Sequence, residues 1–215
     1  MNTEEIYQKL YTLFPDAKCE LDHQSAFQLA VAVLLSAQTT DKSVNKVTPA
    51  LFEKYPDARS MKNADVHEVE SIIRSIGLYR NKAANIVRLS NELCERFNGE
   101  VPDTMEELTT LSGIGRKSAS VILLECFNIP SVPVDTHVER VSKRLKIAEK
   151  GDSVLEVEQK IRHAFKTEEW GKLHHMLIFF GRYMCKARNP LCEGCPFIEN
   201  CRYQEEIQAE EKTGH

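Results

Sequence analysis

Apolar residues recur at helical spacing along most of this chain, and no stretch alternates as a half-buried strand would. Ile6, Leu10 and Leu13 share one side of a helix over Glu4 to Leu13, which Pro15 ends. Ser25 to Ala37 carries Phe27, Leu29, Ala30, Val31, Val33, Leu34 and Leu35, and reads as a buried central helix. The polar run Gln38-Thr39-Thr40-Asp41 can cap the next helix, about Lys42 to Lys54, which Pro56 closes. Val66, Val69, Ile72, Ile73 and Ile76 place a helix over Ala64 to Ser75, with Gly77 as its stop. Leu78 and Tyr79 fall in the connection that follows, before an amphipathic helix from Asn81 to Phe97 that Asn98-Gly99 ends. Pro130-Ser131-Val132-Pro133 cannot be helical. Helices then run from Asp135 to about Leu145, from Ser153 to Phe165 and from Lys172 to Tyr183. The fold class this predicts is all-α, with about ten helices and no internal repeat.

The stretch Leu111-Ser112-Gly113-Ile114-Gly115-Arg116-Lys117 stands between two of these elements. Ahead of it, Thr104 to Thr110 reads as a short helix with a Thr cap and with Glu106 and Glu107 in its first turn. Behind it, Val121, Ile122, Leu124 and Cys126 continue a second helix. A Gly-Ile-Gly turn exposes backbone N–H groups just before a helix N-terminus, a geometry that suits a phosphate oxygen. Ile114 is placed to anchor the turn in the core. Lys117 falls in the first turn of the second helix, where the dipole disfavours a cation. A neutral amine there is a nucleophile suited to Schiff-base formation; the plainer reading is a phosphate-contacting lysine beside Arg116.

The chain has 215 residues, 42% hydrophobic and 28% charged, enough for one large or two modest domains. No apolar run approaches the ~18 residues that span a bilayer. The acidic, polar start shows no signal peptide, so a cytoplasmic location and no membrane partner are expected. A net charge of -4 does not announce a nucleic-acid binder. The charges are uneven, however. Positions 115–146 hold six basic residues against three acidic ones, and 181–203 hold four against two, while Glu205, Glu206, Glu210 and Glu211 make the tail acidic. An acidic protein can present a basic groove.

Of seven cysteines, Cys185, Cys192, Cys195 and Cys201 crowd one window, separated by six, two and five residues. Cys19, Cys94 and Cys126 are scattered and read as core residues. Four thiolates at this density in a reducing compartment indicate a metal site, zinc or iron–sulfur. A lone first cysteine with a single Cys-x-x-Cys favours a cubane cluster over zinc. Lys186 and Arg188 lie on the first ligand loop, as solvated charges or as phosphate contacts. Asp135, ahead of Thr136-His137-Val138, is a good helix N-cap whose fixed carboxylate can also serve chemistry. His137 reads as structural.

Taken together these motifs resemble the endonuclease III family of DNA glycosylases. The likeness rests on Leu111-x-Gly113-Ile114-Gly115-Arg116-Lys117, Val134-Asp135-Thr136-His137 and the cysteine spacing. It extends to Leu34-Leu35-Ser36-Ala37-Gln38-Thr39, Ile76-Gly77-Leu78-Tyr79 and Gly181-Arg182-Tyr183. The resemblance implies two helical domains with a DNA cleft between them. One is a six-helix barrel over 19–130 with a helix-hairpin-helix at about 104–128. The other joins 1–18 to 131–215 and holds a [4Fe–4S] cluster on a loop at 185–201. It also implies catalytic roles for Lys117 and Asp135, DNA contacts from Gln38, Leu78, Gly113, Gly115, Arg116, Lys186 and Arg188, and cluster ligands in Cys185, Cys192, Cys195 and Cys201. The implied function is a bifunctional glycosylase and AP lyase of base excision repair. It would remove oxidised pyrimidines and cut 3′ to the abasic site through a lysine Schiff base. The implied partner is duplex DNA with damaged bases or abasic sites, met by a monomer in the cytoplasm, at the nucleoid in a bacterium. The alternatives are the adenine mismatch glycosylase, which lacks the lysine, and a non-catalytic DNA-binding module.

Overall fold

The computed structural model describes residues 1–213, with side chains through Ala209; Glu210 and Glu211 of the acidic tail, and the end of the segment expected at 131–215, lie outside the described side chains. In chain order the helices are α1 (Thr3–Leu13), α2 (Ala26–Ser36), α3 (Asp41–Lys54), α4 (Ala58–Met61), α5 (Val66–Ile72), α6 (Tyr79–Arg96), α7 (Met105–Leu108), α8 (Arg116–Phe127), α9 (Thr136–Arg144), α10 (Val154–Ala164), α11 (Trp170–Tyr183) and α12 (Arg202–Thr213). Two short 3-10 turns precede α11 and α12, and the described residues contain no strand. The sequence pattern misses α4, a single turn held by the Asp57–Ser60 capping box, and α12. Tyr79, expected in the connection, opens α6.

The chain forms two compact units, one of residues Cys19–Ile129 and one of Met1–Lys18 with Pro130 onward. In the first, α2 is the centre: nine of its 11 residues, Phe27 to Leu35, are buried. An apolar helix with no polar face has to be surrounded, and α3, α6 and α8 pack against it. Ile86, Leu89 and Leu93 of α6 are fully buried in the same core. In the second unit, Val138 and Val141 of α9 and Leu173, Met176, Leu177 and Phe180 of α11 form the core, with α1 laid on α11 through Ile6 and Leu10. Among the described residues no helix is long and apolar enough to cross a membrane.

Gly113 is where the hairpin meets α2. Its φ of +79° is costly for any other residue, and a Cβ there would lie 2.6 Å from Leu34 Cδ1. Gly115 has φ -91° and open space where a Cβ would go. Gly113→Ala is therefore expected to lower stability by about 1–3 kcal/mol through strain and overpacking. Gly115→Ala should cost under about 1 kcal/mol. Urea unfolding of the two variants checks this, and equal losses would contradict it.

Candidate active site and cluster domain

In the hairpin, Leu108, Leu111 and Ile114 are buried, so the turn is seated by side chains on both sides of its tip. Glu92 of α6 fixes the approach, accepting from both the Ser112 N–H and the Ser112 hydroxyl at 2.7 Å. Gly115 is the N-cap of α8 and offers its helix no side-chain cap. A helix N-terminus without a side-chain cap suits an acidic ligand. Gly113, Gly115, Arg116 and Lys117 are all exposed around this end.

Gln38 and Leu78 occupy two further turns of the same unit. Both are exposed and both adopt left-handed backbone, φ 56° and 59°, which non-glycine residues seldom take up. Between them stands Lys82 on α6. Its ammonium is buried and donates to Leu35 O (2.9 Å), Ala37 O (2.7 Å) and Thr39 Oγ1 (3.0 Å). Burial pushes this amine below the ordinary lysine range. Lys82 and Glu92 escaped sequence reasoning, yet Lys82 had a signal. It falls in register with Ile86, Leu89 and Leu93, a lysine on an otherwise apolar face.

Asp135 belongs to the other unit. It caps α9, accepting from the N–H of His137 (2.9 Å) and of Val138 (2.8 Å). Both bonds use Oδ1, so capping occupies one oxygen of two. His137 is held as a structural group. Its Nδ1 accepts from Arg140 Nη2 at 3.2 Å, and burial is the main cause that lowers its pKa. Gly181 permits this packing: a Cβ there would lie 2.9 Å from His137 Cβ.

Cys185, Cys192, Cys195 and Cys201 line one pocket enclosing about 380 Å³ of non-atom space, partly open to solvent, with Phe180, Met184 and Phe197 as its apolar wall. Burial and the neighbouring cysteines push up the Cys192 and Cys195 thiols, as expected where several sulfurs crowd together. Among the described residues no three Cys, His, Asp or Glu side chains converge tightly enough to hold one ion. A single zinc would draw its sulfurs to ~3.8 Å of one another from bonds of ~2.3 Å. Four sulfurs ringing a pocket fit a polynuclear group instead. Arg144 donates to Cys185 Sγ (3.3 Å) and to Lys186 O (2.8 Å), and Arg140 donates to Cys185 O (3.1 Å) and Gly181 O (2.8 Å). Lys186 and Arg188 are exposed on the loop that these arginines hold.

A helix-hairpin-helix with an exposed lysine in the first turn of its second helix, in a chain with a four-sulfur pocket, defines a DNA-repair protein with an iron–sulfur domain. The model of the HhH-GPD superfamily base excision DNA repair protein matches residues 31–167, and that of the iron–sulfur binding domain of endonuclease III matches 185–201. Endonuclease III of Bacillus subtilis (strain 168) is 50% identical over 211 residues, 98% of this chain and 95% of that protein. Endonuclease III of Synechocystis sp. is 45% identical over 198 residues, 92% of this chain and 90% of that protein. A trapped endonuclease III–DNA covalent intermediate matches with a TM-score of 0.92 at 48% identity, covering 97% of this chain and 99% of that one. The chain belongs to the endonuclease III family of the HhH-GPD superfamily. It is accordingly a DNA glycosylase and AP lyase with a [4Fe–4S] cofactor.

The pocket makes a chemical forecast. Purified protein should contain iron and sulfide in equal amounts and absorb broadly in the visible. Cys192→Ala should lose both metal and absorption and disorder the loop, since that loop has little apolar core apart from Phe197. Metal analysis checks this, and one zinc per chain without sulfide would contradict it.

Proposed function

We propose that Lys117 is the covalent nucleophile of base removal and strand cleavage, that Asp135 assists it, and that the preferred substrate is duplex DNA carrying an oxidised pyrimidine. The supporting observation is the contrast between two lysines. Lys82 has three N–H donors and spends all three on protein acceptors, in a buried setting. Lys117 is exposed on the first turn of α8, directly behind the Gly-Ile-Gly hairpin. A phosphate held by the N–H groups of that hairpin would bring the neighbouring sugar to the amine.

The chemistry follows from that placement. A base inside the duplex is out of reach, so it is extruded, and a damaged pair costs less to open. The Lys117 nitrogen bonds to C1′ as the C1′–base bond breaks, and the base leaves with the electron pair of that bond and takes up a proton. Positive charge grows on the sugar during this step. The oxygen of Asp135 not engaged in capping can stabilise that charge or accept the amine proton. Opening of the sugar ring gives an iminium, which makes the C2′ proton acidic. Its loss drives β-elimination, breaking the C3′–O bond and releasing the strand on the 3′ side with a 5′-phosphate. Gln38 and Leu78 serve the extruded state, Gln38 in the gap left by the nucleotide and Leu78 against the opposite base. Arg116, Lys186, Arg188 and the amides of Gly113 and Gly115 hold phosphates and carry no sequence information. The cluster, held by Cys185, Cys192, Cys195 and Cys201, supplies rigidity to the loop bearing Lys186 and Arg188. The site of action is the cytoplasm, on chromosomal DNA.

The test is a nicking assay on duplex containing an oxidised pyrimidine. Lys117→Gln should stay folded and bind DNA but give no β-elimination product. Asp135→Asn keeps an acceptor for its helix, so its melting temperature should hold while turnover falls ~10²–10⁴-fold. Normal cleavage by Lys117→Gln would overturn the assignment. Unfolding of Asp135→Asn would reduce that residue to a cap.

A further inference from the structure

Gln38 and Leu78, both exposed, stand on left-handed backbone without the small side chain that makes it easy, as Lys146 does in the other unit. Leu78 is 60% exposed, so no packing within the chain rewards its conformation. Such strain persists where the surroundings over-determine it, and it gathers at functional sites. What over-determines the Gln38 turn is one side chain. The ammonium of Lys82 donates to Ala37 O, the carbonyl immediately before Gln38, while its backbone N–H makes the ordinary first-turn bond of α6 to Leu78 O at 3.1 Å. The other two ammonium bonds, to Leu35 O and Thr39 Oγ1, bracket Gln38 on both sides. Leu35 and Ala37 also lie at the C-terminal end of α2, where free carbonyls favour a cation. An ammonium with three acceptors cannot drift without leaving a buried donor unpaired.

We infer that Lys82 is a positioning residue for base extrusion, tying the Gln38 turn to the head of α6 so that the Gln38 side chain is presented in fixed register. This rests on the proposed role of Gln38. Lys82 is buried with its ammonium spent on protein acceptors, so it acts through the turn. Glu92, on the same helix, anchors the hairpin through Ser112, so α6 carries the fixing bonds of two separate turns.

A kinetic double-mutant cycle separates this role from general stabilisation. Single-turnover base removal from oxidised-pyrimidine duplex is measured for wild type, Gln38→Ala, Lys82→Met and the double variant, with thermal melting of each. Lys82→Met is expected to slow base removal ~10–100-fold. Adding it to Gln38→Ala should slow the reaction little further, because the turn it holds no longer carries a functional side chain. Should Lys82→Met fail to fold, Thr39→Val, which removes one acceptor and keeps the volume, runs the same cycle with a loss of ~3–10-fold. Multiplying effects of the two substitutions would overturn the inference, as would a Lys82→Met protein that works at the wild-type rate. Either result leaves the assignment of Lys117 standing, whereas a wild-type protein that removes no base overturns both.

Discussion

An ammonium taken out of water must find three acceptors or lose its charge. Lys82 finds them at the end of the most buried helix of the protein, in two carbonyls and a hydroxyl within five residues of one another. That requirement fixes the path of residues 35–39 far more tightly than apolar packing could, since Ala37 and Gln38 are exposed. The end of α2 depends on a second tight fit. The hairpin lies against α2 only because Gly113 has no Cβ to collide with Leu34. Turns that must face a ligand cannot be buried, so their geometry is set from behind, by α2 and α6.

The unit holding the cysteines solves a related difficulty by other means. Its ligand loop has few apolar residues, and Leu191 and Ile198 remain exposed. Guanidinium groups take the place of a core. Arg140 and Arg144 of α9 bond carbonyls of residues 181, 185 and 186, and Arg202 bonds Lys143 O (2.9 Å) and Ala148 O (2.8 Å). Planar, permanently charged forks suit carbonyls at helix ends and in loops. The Arg144 guanidinium lies 4.0 Å from the centre of the Tyr203 ring and points one N–H at Cys185 Sγ. It therefore supports a ligand sulfur and stiffens the loop at once. The outer ion pairs Lys146–Glu205 and Lys150–Glu206 are exposed and add little.

Most helices were legible because their apolar residues repeat at 3.6 and their caps are Ser, Thr or Asp, as Ser25, Thr40, Asp135 and Ser153 show. The α12 helix was not, because six of its twelve residues are charged and its few apolar residues make no continuous stripe. The cysteine spacing and the Gly-Ile-Gly-Arg-Lys turn gave the family, since both are local and the chemistry needs those residue types. Gln38 and Leu78 came only from resemblance: a loop glutamine and a loop leucine look ordinary until their backbone angles are seen. The bonds of Lys82 and Glu92 span 43 to 47 and 20 residues of chain, and no local pattern records a contact at that range.

The two lysines divide the labour: Lys82 holds, Lys117 reacts. Borohydride reduction of wild-type protein on oxidised-pyrimidine duplex, followed by proteolysis and mass spectrometry, locates the amine that bonded the sugar. A single deoxyribose-derived adduct is expected, on Lys117. An adduct on the N-terminal amine, on Lys186 or on any other lysine would contradict it.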